Sequence, residues 1–450
     1  MKKKASSKTI LKYLLILAIT STTLLFFGFR NSSYFHPDDI PVSSINEEPI
    51  AINHLISNEL SDLPTTAKLD NQIEKFIKRW EIKGASIAIM KDEKLIYAKG
   101  YGWADQELNI ETEVKHIFRI ASLSKLITAV AIMKLKEEGK ISLDGKIFGI
   151  GGLLNYPEYS TFRDKRVKDI TVEQLLRHKG GFSTRGGDPM FSLSTVARRL
   201  DLDRAVTEEE LIKYILSQRL GYTPGNGTRY SNVGYFLLSK VIEAVTGEKY
   251  EHYVKENILK PNGIYDMHLA RNFYNQKYPN EVKYYEPSNE EPISAFDRRD
   301  TLLPRCYGGN NINMLLGAGA WVASPVEMLK FVSLIDGREG VKDILTKESI
   351  TQMTQSDPST LPIGWAKCYS SGNWTRTGTL SGSSALIKYN SNGYSWVFIT
   401  NTSSWKGSSF PKNIDRFFKG AVQKVSQWPD RDLFEVTPEE LIKTPESLQS

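Results

Sequence analysis

Residues 126–133 read "LITAVAIM", and Thr128 is the only polar side chain among them. No other stretch restricts the fold as tightly. The spacing predicts a helix over residues 122–138, stopped by Gly139 and apolar nearly all round. Such a helix has no solvent face, so the chain must wrap it on every side. At 450 residues the chain is long enough to do so in one large two-part domain or in two domains.

Two residues at the head of that run do not read as plain core. Ser122 and Lys125 stand three apart, which places a hydroxyl and an amine on one helix face. Ser124, next to Lys125 in the chain, points elsewhere. A serine hydroxyl needs a base before it can attack a carbonyl. A partly desolvated lysine has a lowered pKa and can be that base. The positive end of the helix also favours negative charge there. The pattern is short, and Ser403 and Lys406 repeat it without an apolar helix behind them. An N-cap serine beside a snorkelling lysine fits the same residues.

The rest of the chain suggests what surrounds the helix. "LDNQIEKFIKRW" (69–80) has helical apolar spacing, and so does "IDRFFKGAVQKV" (414–425). "GASIAIM" (84–90) and "LIYAKGYGWA" (95–104) flank "KDEK" as a β-hairpin. "SALIKY" (384–389) and "YSWVFIT" (394–400) flank "NSNG" as a second one. Strands at both ends with helical material between them predict an α+β fold. One antiparallel sheet is built from both termini, and residues from about 106 to 310 form a mostly helical insertion.

Charge narrows the partners. The chain carries 58 Lys and Arg against 52 Asp and Glu. Six of the basic residues (Lys2, Lys3, Lys4, Lys8, Lys12 and Arg30) lie in residues 1–30, which hold no acid, so the remainder balances at 52 to 52. That argues against a broad basic face and against nucleic acid as a partner. Lys12 and Arg30 bracket 17 uncharged, mostly apolar residues. This reads as a membrane anchor whose lysines stay cytoplasmic, with the bulk of the chain extracytoplasmic. The alternative is secretion after cleavage, but "LLFFGFR" offers no small-residue cleavage site. Residues 31–66 read as an extracytoplasmic linker, 67–428 as the folded domain and 429–450 as a tail. Cys306 and Cys368, the two cysteines, could pair outside the cytoplasm.

Two further segments carry chemistry. Tyr230-Ser231-Asn232 lies where a loop feeds a helix, "TPGNGTRYSNVGYFLL". A tyrosine there can hold a proton between a serine and a lysine, and an asparagine can offer its amide to a substrate. A packed aromatic is the plainer reading of Tyr230. Arg376-Thr377-Gly378 enters a strand in "WTRTGTLSGSSALIKY". The glycine would let a substrate approach the backbone, and the arginine could clasp a carboxylate. A solvated arginine on an edge strand is the alternative.

The three motifs in this order resemble those of the serine β-lactamase and penicillin-recognising family: Ser-x-x-Lys, Tyr-x-Asn, and Lys-Thr-Gly or His-x-Gly. The nearest branch is the class C β-lactamase-related group, with D-alanyl-D-alanine carboxypeptidases and esterases. "GYGWAD", "ITVEQLLRHKGGF" and "GAGAWVASPVEMLKF" look like that family too, and the likeness runs from about residue 70 to 425. It implies an antiparallel sheet with flanking helices, an inserted helical subdomain and a site between them. It implies Ser122 as acyl-forming nucleophile, with Lys125 and Tyr230 sharing the proton work. Asn232, Arg376, Thr377 and Gly378 would bind substrate, and the backbone N–H groups of Ser122 and Thr379 would form the oxyanion hole. Position 376 is Arg where the family usually has Lys or His, which keeps the charge but changes reach and geometry. "HKGG" replaces the family's usual "HTSG" and reads as a structural turn around His178.

No cofactor or metal is expected. The six histidines (36, 54, 116, 178, 252 and 268) show no metal spacing and read as structural. There is no Gly-x-Ser-x-Gly elbow, no phosphate-binding glycine loop and no class A style deacylating glutamate motif. The expected function is an exported serine hydrolase acting on peptide, amide, β-lactam or ester bonds of a small-molecule or peptide substrate. The alternative is a penicillin- or cell-wall-peptide-binding sensor that turns over little.

Overall fold

A computed structural model describes residues 49–185, 187–297 and 300–437. The candidate membrane segment at 1–30 lies outside the described residues. Within them, no helix is long and apolar enough to cross a membrane.

The two hairpins form as expected and lie side by side. The first joins β1 (Gly84–Lys91) to β2 (Lys94–Asp105), which carries the short β3 (Ile110–Glu111) on its outer edge. After some 260 intervening residues come β4 (Lys367–Cys368) and β5 (Trp374–Leu380). β6 (Ser383–Tyr389) and β7 (Tyr394–Thr400) close the series. The sheet order is β3-β2-β1-β7-β6-β5-β4, antiparallel throughout, with the N- and C-terminal hairpins meeting at β1 and β7. Ala85 pairs with Thr400 and Lys91 with Tyr394 along that seam.

Both faces of the sheet are covered, which explains why β1 is apolar at nearly every position rather than at alternate ones. Ile87 and Ile89 point to one side. There they pack with α1 (Ala67–Arg79) and the C-terminal helix Pro411–Ala421, through Ile73, Phe76, Ile414 and Phe418. Ala88 and Met90 point to the other side, into the main core. That core contains α2 (Ser124–Glu137), whose residues from Ser124 to Met133 are all buried. The all-round apolar run is therefore a central helix, as its sequence required.

α3 (Asn232–Thr246) packs beside α2. Ser231 caps it by accepting from the Gly234 N–H at 3.2 Å, and Gly247 ends it in the left-handed region at φ 76°. Pro325–Ser333, another helix of the main core, lies against β1 and β7.

Two expected boundaries move. Residues 50–66, expected in the linker, are part of the fold: Ile52 and Ile56 are in the core, and Ser61 exchanges hydrogen bonds with the Ala98 backbone on β2. Residues 429–437 were assigned to the tail, yet Leu433 is buried and Asp432 accepts from the Leu95 N–H at 2.9 Å. Both segments satisfy β2 backbone groups through a few polar side chains (Asn58 and Ser61, Arg431 and Asp432), contacts with no periodic signature in sequence. Cys306 and Cys368 are both free thiols.

Candidate active site

The nucleophile segment is bent before α2 begins. Residues Ala121–Leu123 form one 3-10 turn, and Ala121 is held at φ 50°, a left-handed conformation that alanine rarely adopts. The turn is pressed against β5. A Cβ added at Gly378 would lie 2.4 Å from the Ile120 carbonyl oxygen and 3.0 Å from the Ser122 nitrogen. Gly378 was expected to admit a substrate. It lines the catalytic cavity, and its missing side chain also admits the chain's own serine turn.

Ser122 Oγ receives two hydrogen bonds, from Tyr230 OH at 2.7 Å and from Lys125 Nζ at 3.2 Å. Ser124, the other serine, is structural: its hydroxyl donates to Ala121 O and accepts from the Trp321 N–H. Lys125 is fully buried. Its ammonium also donates to Asn232 Oδ1 at 2.8 Å and to the Ala318 carbonyl. Burial is the main reason its pKa falls to about 8; Arg376 pushes the same way and the Tyr230 oxygen opposes. For Tyr230, desolvation acts upward, but the charges of Lys125 and Arg376 prevail and bring the phenol down to about 8. The two groups closest to the serine oxygen thus share one titration range. Tyr230 keeps an exposed ring at the pocket mouth, 45 % accessible, while its hydroxyl points inward to Ser122.

Arg376 does not stand out in solvent. It is 2 % exposed, on the buried face of β5 with Gly378 and Leu380. Its Nε donates to the Ser122 carbonyl at 2.7 Å, and its Nη2 lies 3.4 Å from Tyr230 OH. Asn232 is likewise committed within the protein. While Oδ1 holds Lys125, its Nδ2 donates to Asp188 Oδ2 at 2.8 Å.

Three contributors escaped the sequence reading. Asp188 orients the Asn232 amide; nothing in "GGDP" marks it, because the pairing is made across 44 residues. The Ala318 carbonyl reaches Lys125 because Gly317 can sit against α2 and α3, where a Cβ would lie 2.3 Å from Thr128 Oγ1 and 2.6 Å from Ser239 Oγ. The small-residue run "GAGAW" is its sign in the sequence. His178, expected as a structural turn, does occupy one at φ 59°. It also shapes the site: its ring packs on Tyr230 at 4.6 Å, and its Nδ1 accepts from the Ser231 N–H at 3.2 Å. Burial, with Arg376 and Lys125 nearby, drives its pKa well below 6.5, so the ring is neutral.

These groups open onto a cavity of about 420 Å³ whose lining includes Ser122, Tyr230, Asn232, Thr377, Gly378 and Thr379. β5 loses its β4 neighbour beyond Thr375, so residues 376–380 form a free edge along this cavity. All the motif residues expected at the site are gathered here. Among the described residues, no group of three or more His, Cys, Asp or Glu is placed to hold a metal ion.

The fold is that of the β-lactamase/transpeptidase class of serine hydrolases. The sequence profile of the Beta-lactamase family matches residues 69–418, and the chain belongs to that family. Over 336 residues it is 24% identical to a "Putative penicillin-binding protein PbpX" of Bacillus subtilis (strain 168), covering 74% of each chain. It is 28% identical over 226 residues to "Protein flp" of Staphylococcus aureus (strain COL); that match spans 50% of this chain and 42% of the relative, under half its length. Among solved structures, D-amino acid amidase from Ochrobactrum anthropi SV3 superposes with a TM-score of 0.62 at 20% identity, covering 81% of this chain and all of that one. An octameric penicillin-binding protein homologue from Pyrococcus abyssi gives 0.57 at 24% identity, covering 83% and 79%. At these identities the structural likeness is one of fold.

Proposed function

We propose that the protein is a serine hydrolase that works through an acyl-enzyme on Ser122, cleaving peptide or amide, β-lactam or ester bonds. One observation carries this reading: the Ser122 hydroxyl is held by both Tyr230 OH and the buried Lys125 Nζ, at 2.7 and 3.2 Å. With both partners titrating near 8, the pair can take the serine proton as the hydroxyl attacks and return it to the leaving group. A water then attacks the ester on Ser122 with the same pair as base. The N–H groups of Ser122 and Thr379, two residues that line the cavity, would stabilise the developing oxyanion. Asn232 and Asp188 keep Lys125 in place.

The test is single-turnover kinetics of the purified protein with an activated neutral ester. Steady turnover that Ser122→Ala abolishes supports the enzyme. A stoichiometric burst without turnover supports the sensor alternative. Normal turnover by Ser122→Ala removes the assignment altogether.

We also propose that residues 1–30 are retained as an anchor that leaves the catalytic domain extracytoplasmic, from the basic, acid-free flanks of their apolar run. Mass spectrometry of the mature membrane-fraction protein checks this, and a mature start near residue 30 sinks it.

A further inference from the structure

A second cavity, of about 470 Å³, stands beside the catalytic one and has an unusual lining. Five arginines border it (Arg163, Arg185, Arg199, Arg219 and Arg229), and no Asp or Glu does. All five are exposed. Among the described residues, none of them forms an ion pair. Arg199 donates to Tyr214 OH and Arg229 to Thr184 Oγ1, both neutral hydroxyls. Two acids lie next to lining residues in the chain: Asp164 is held by Arg166 at 2.7 Å, and Asp188 accepts from Asn232 Nδ2 at 2.8 Å. Outside residues 1–30 the protein balances its charges, so five unpaired cations around one hollow are a local concentration rather than a general excess.

The two cavities are bordered by residues that neighbour one another in the chain. Phe191 lines the catalytic cavity, and its chain neighbour Ser192 lines the basic one. On the opposite wall, Tyr230 faces the serine and Arg229 borders the arginine cavity. Asp188, which orients Asn232, precedes the Pro189–Phe191 turn that separates them. Residues adjacent in the chain therefore border the two cavities at 191–192 and at 229–230.

We infer that the arginine-lined cavity is an oxyanion-binding subsite that holds a multiply charged part of the substrate, carrying phosphate or carboxylate groups, next to the bond cleaved at Ser122. Guanidinium forks bind both kinds of oxyanion through paired, charge-assisted hydrogen bonds. One carboxylate needs one or two arginines, so five call for a ligand with several negative charges. Arg376 does not border this cavity; it lines the catalytic one, 2 % exposed and hydrogen-bonded to the Ser122 carbonyl. The inference rests on the proposed hydrolase for the word substrate, but not for the binding.

Binding is therefore tested apart from activity. Calorimetry titrates tripolyphosphate, and separately citrate, into the full-length protein, its Ser122→Ala variant and the double variant Arg163→Ser/Arg219→Ser. The expected result is binding of at least one probe by the first two, weakening as salt rises. The double variant should bind at least tenfold more weakly at an unchanged melting temperature. Preference for tripolyphosphate assigns phosphate groups to the ligand, and preference for citrate assigns carboxylates. No binding of either probe, or equal affinity in the double variant, overturns the site. The subsite role is read from KM: the ratio of KM for an ester with an anionic tail to KM for a neutral ester should rise at least tenfold in the double variant. An unchanged ratio overturns it.

Discussion

Replacing Arg376 by methionine separates two roles that sequence could not tell apart. Methionine keeps much of the apolar stem and removes the guanidinium. If the arginine clasped a substrate carboxylate, only substrates bearing one would suffer. The structure gives a different expectation, because the guanidinium donates through Nε to Ser122 O at 2.7 Å and its Nη2 lies 3.4 Å from Tyr230 OH. A hydrogen bond to a charged group contributes about 1.5–3 kcal/mol. Lost from the nucleophile turn, that amounts to a fall in kcat/KM of about 10- to 150-fold on neutral and carboxylate-bearing substrates alike. The pH dependence adds a second readout. Arg376 lowers the pKa of both Lys125 and Tyr230, which stand at about 8. Attack on the carbonyl needs this pair to have given up a proton, so kcat/KM rises with pH through its apparent pKa. Without the guanidinium the deprotonated pair loses a stabilising positive charge, and the rising limb moves to higher pH. The assay is kcat/KM from pH 6 to 10 on a neutral ester and on a matched ester carrying a carboxylate. A loss confined to the carboxylate ester, with the limb unmoved, would refute the reasoning and restore the clamp.

Other outcomes follow from the same contacts. Gly378→Ala places a methyl 2.4 Å from Ile120 O and should abolish ester hydrolysis while circular dichroism still shows a folded protein; retained activity means the serine turn does not depend on this approach. Asp188→Ala frees one end of the Asn232 amide and should lower kcat about tenfold, the size of one lost hydrogen bond to a charged group. Unchanged kcat would show that Lys125 is held without it. Ile132→Ala, at a position of zero exposure on α2, should cost about 2–5 kcal/mol in urea unfolding, and a loss below about 1 kcal/mol contradicts the central placement of the helix. Thiol titration of the unfolded, unreduced protein should count two free cysteines; a count of zero means that Cys306 and Cys368 are paired.

The sequence by itself determined the elements and their chemistry. An apolar run with one threonine had to be a central helix, and alternating strands around "KDEK" and "NSNG" had to be hairpins, because each signal lies within a few residues. The i, i+3 spacing selected Ser122 over Ser124 for the same local reason, and the three motifs together gave the family. What the site residues do to one another was decided by tertiary structure. Arg376 and Gly378 read as substrate-facing, and both do line the catalytic cavity, but β5 also meets the Ala121–Leu123 turn through them. Asn232 read as a free amide until Lys125 and Asp188 took its two ends. Asp188, the Ala318 carbonyl and the linker residues at 50–66 entered through single contacts across tens to hundreds of residues. The cluster of arginines is of the same kind: five residues scattered from 163 to 229 share a cavity only because the chain folds back between them. Periodicity records which face of an element is buried. It does not record which polar atom of a distant segment arrives there, and in this site those arrivals set the pKa values, the orientation of the nucleophile and the charge beside it.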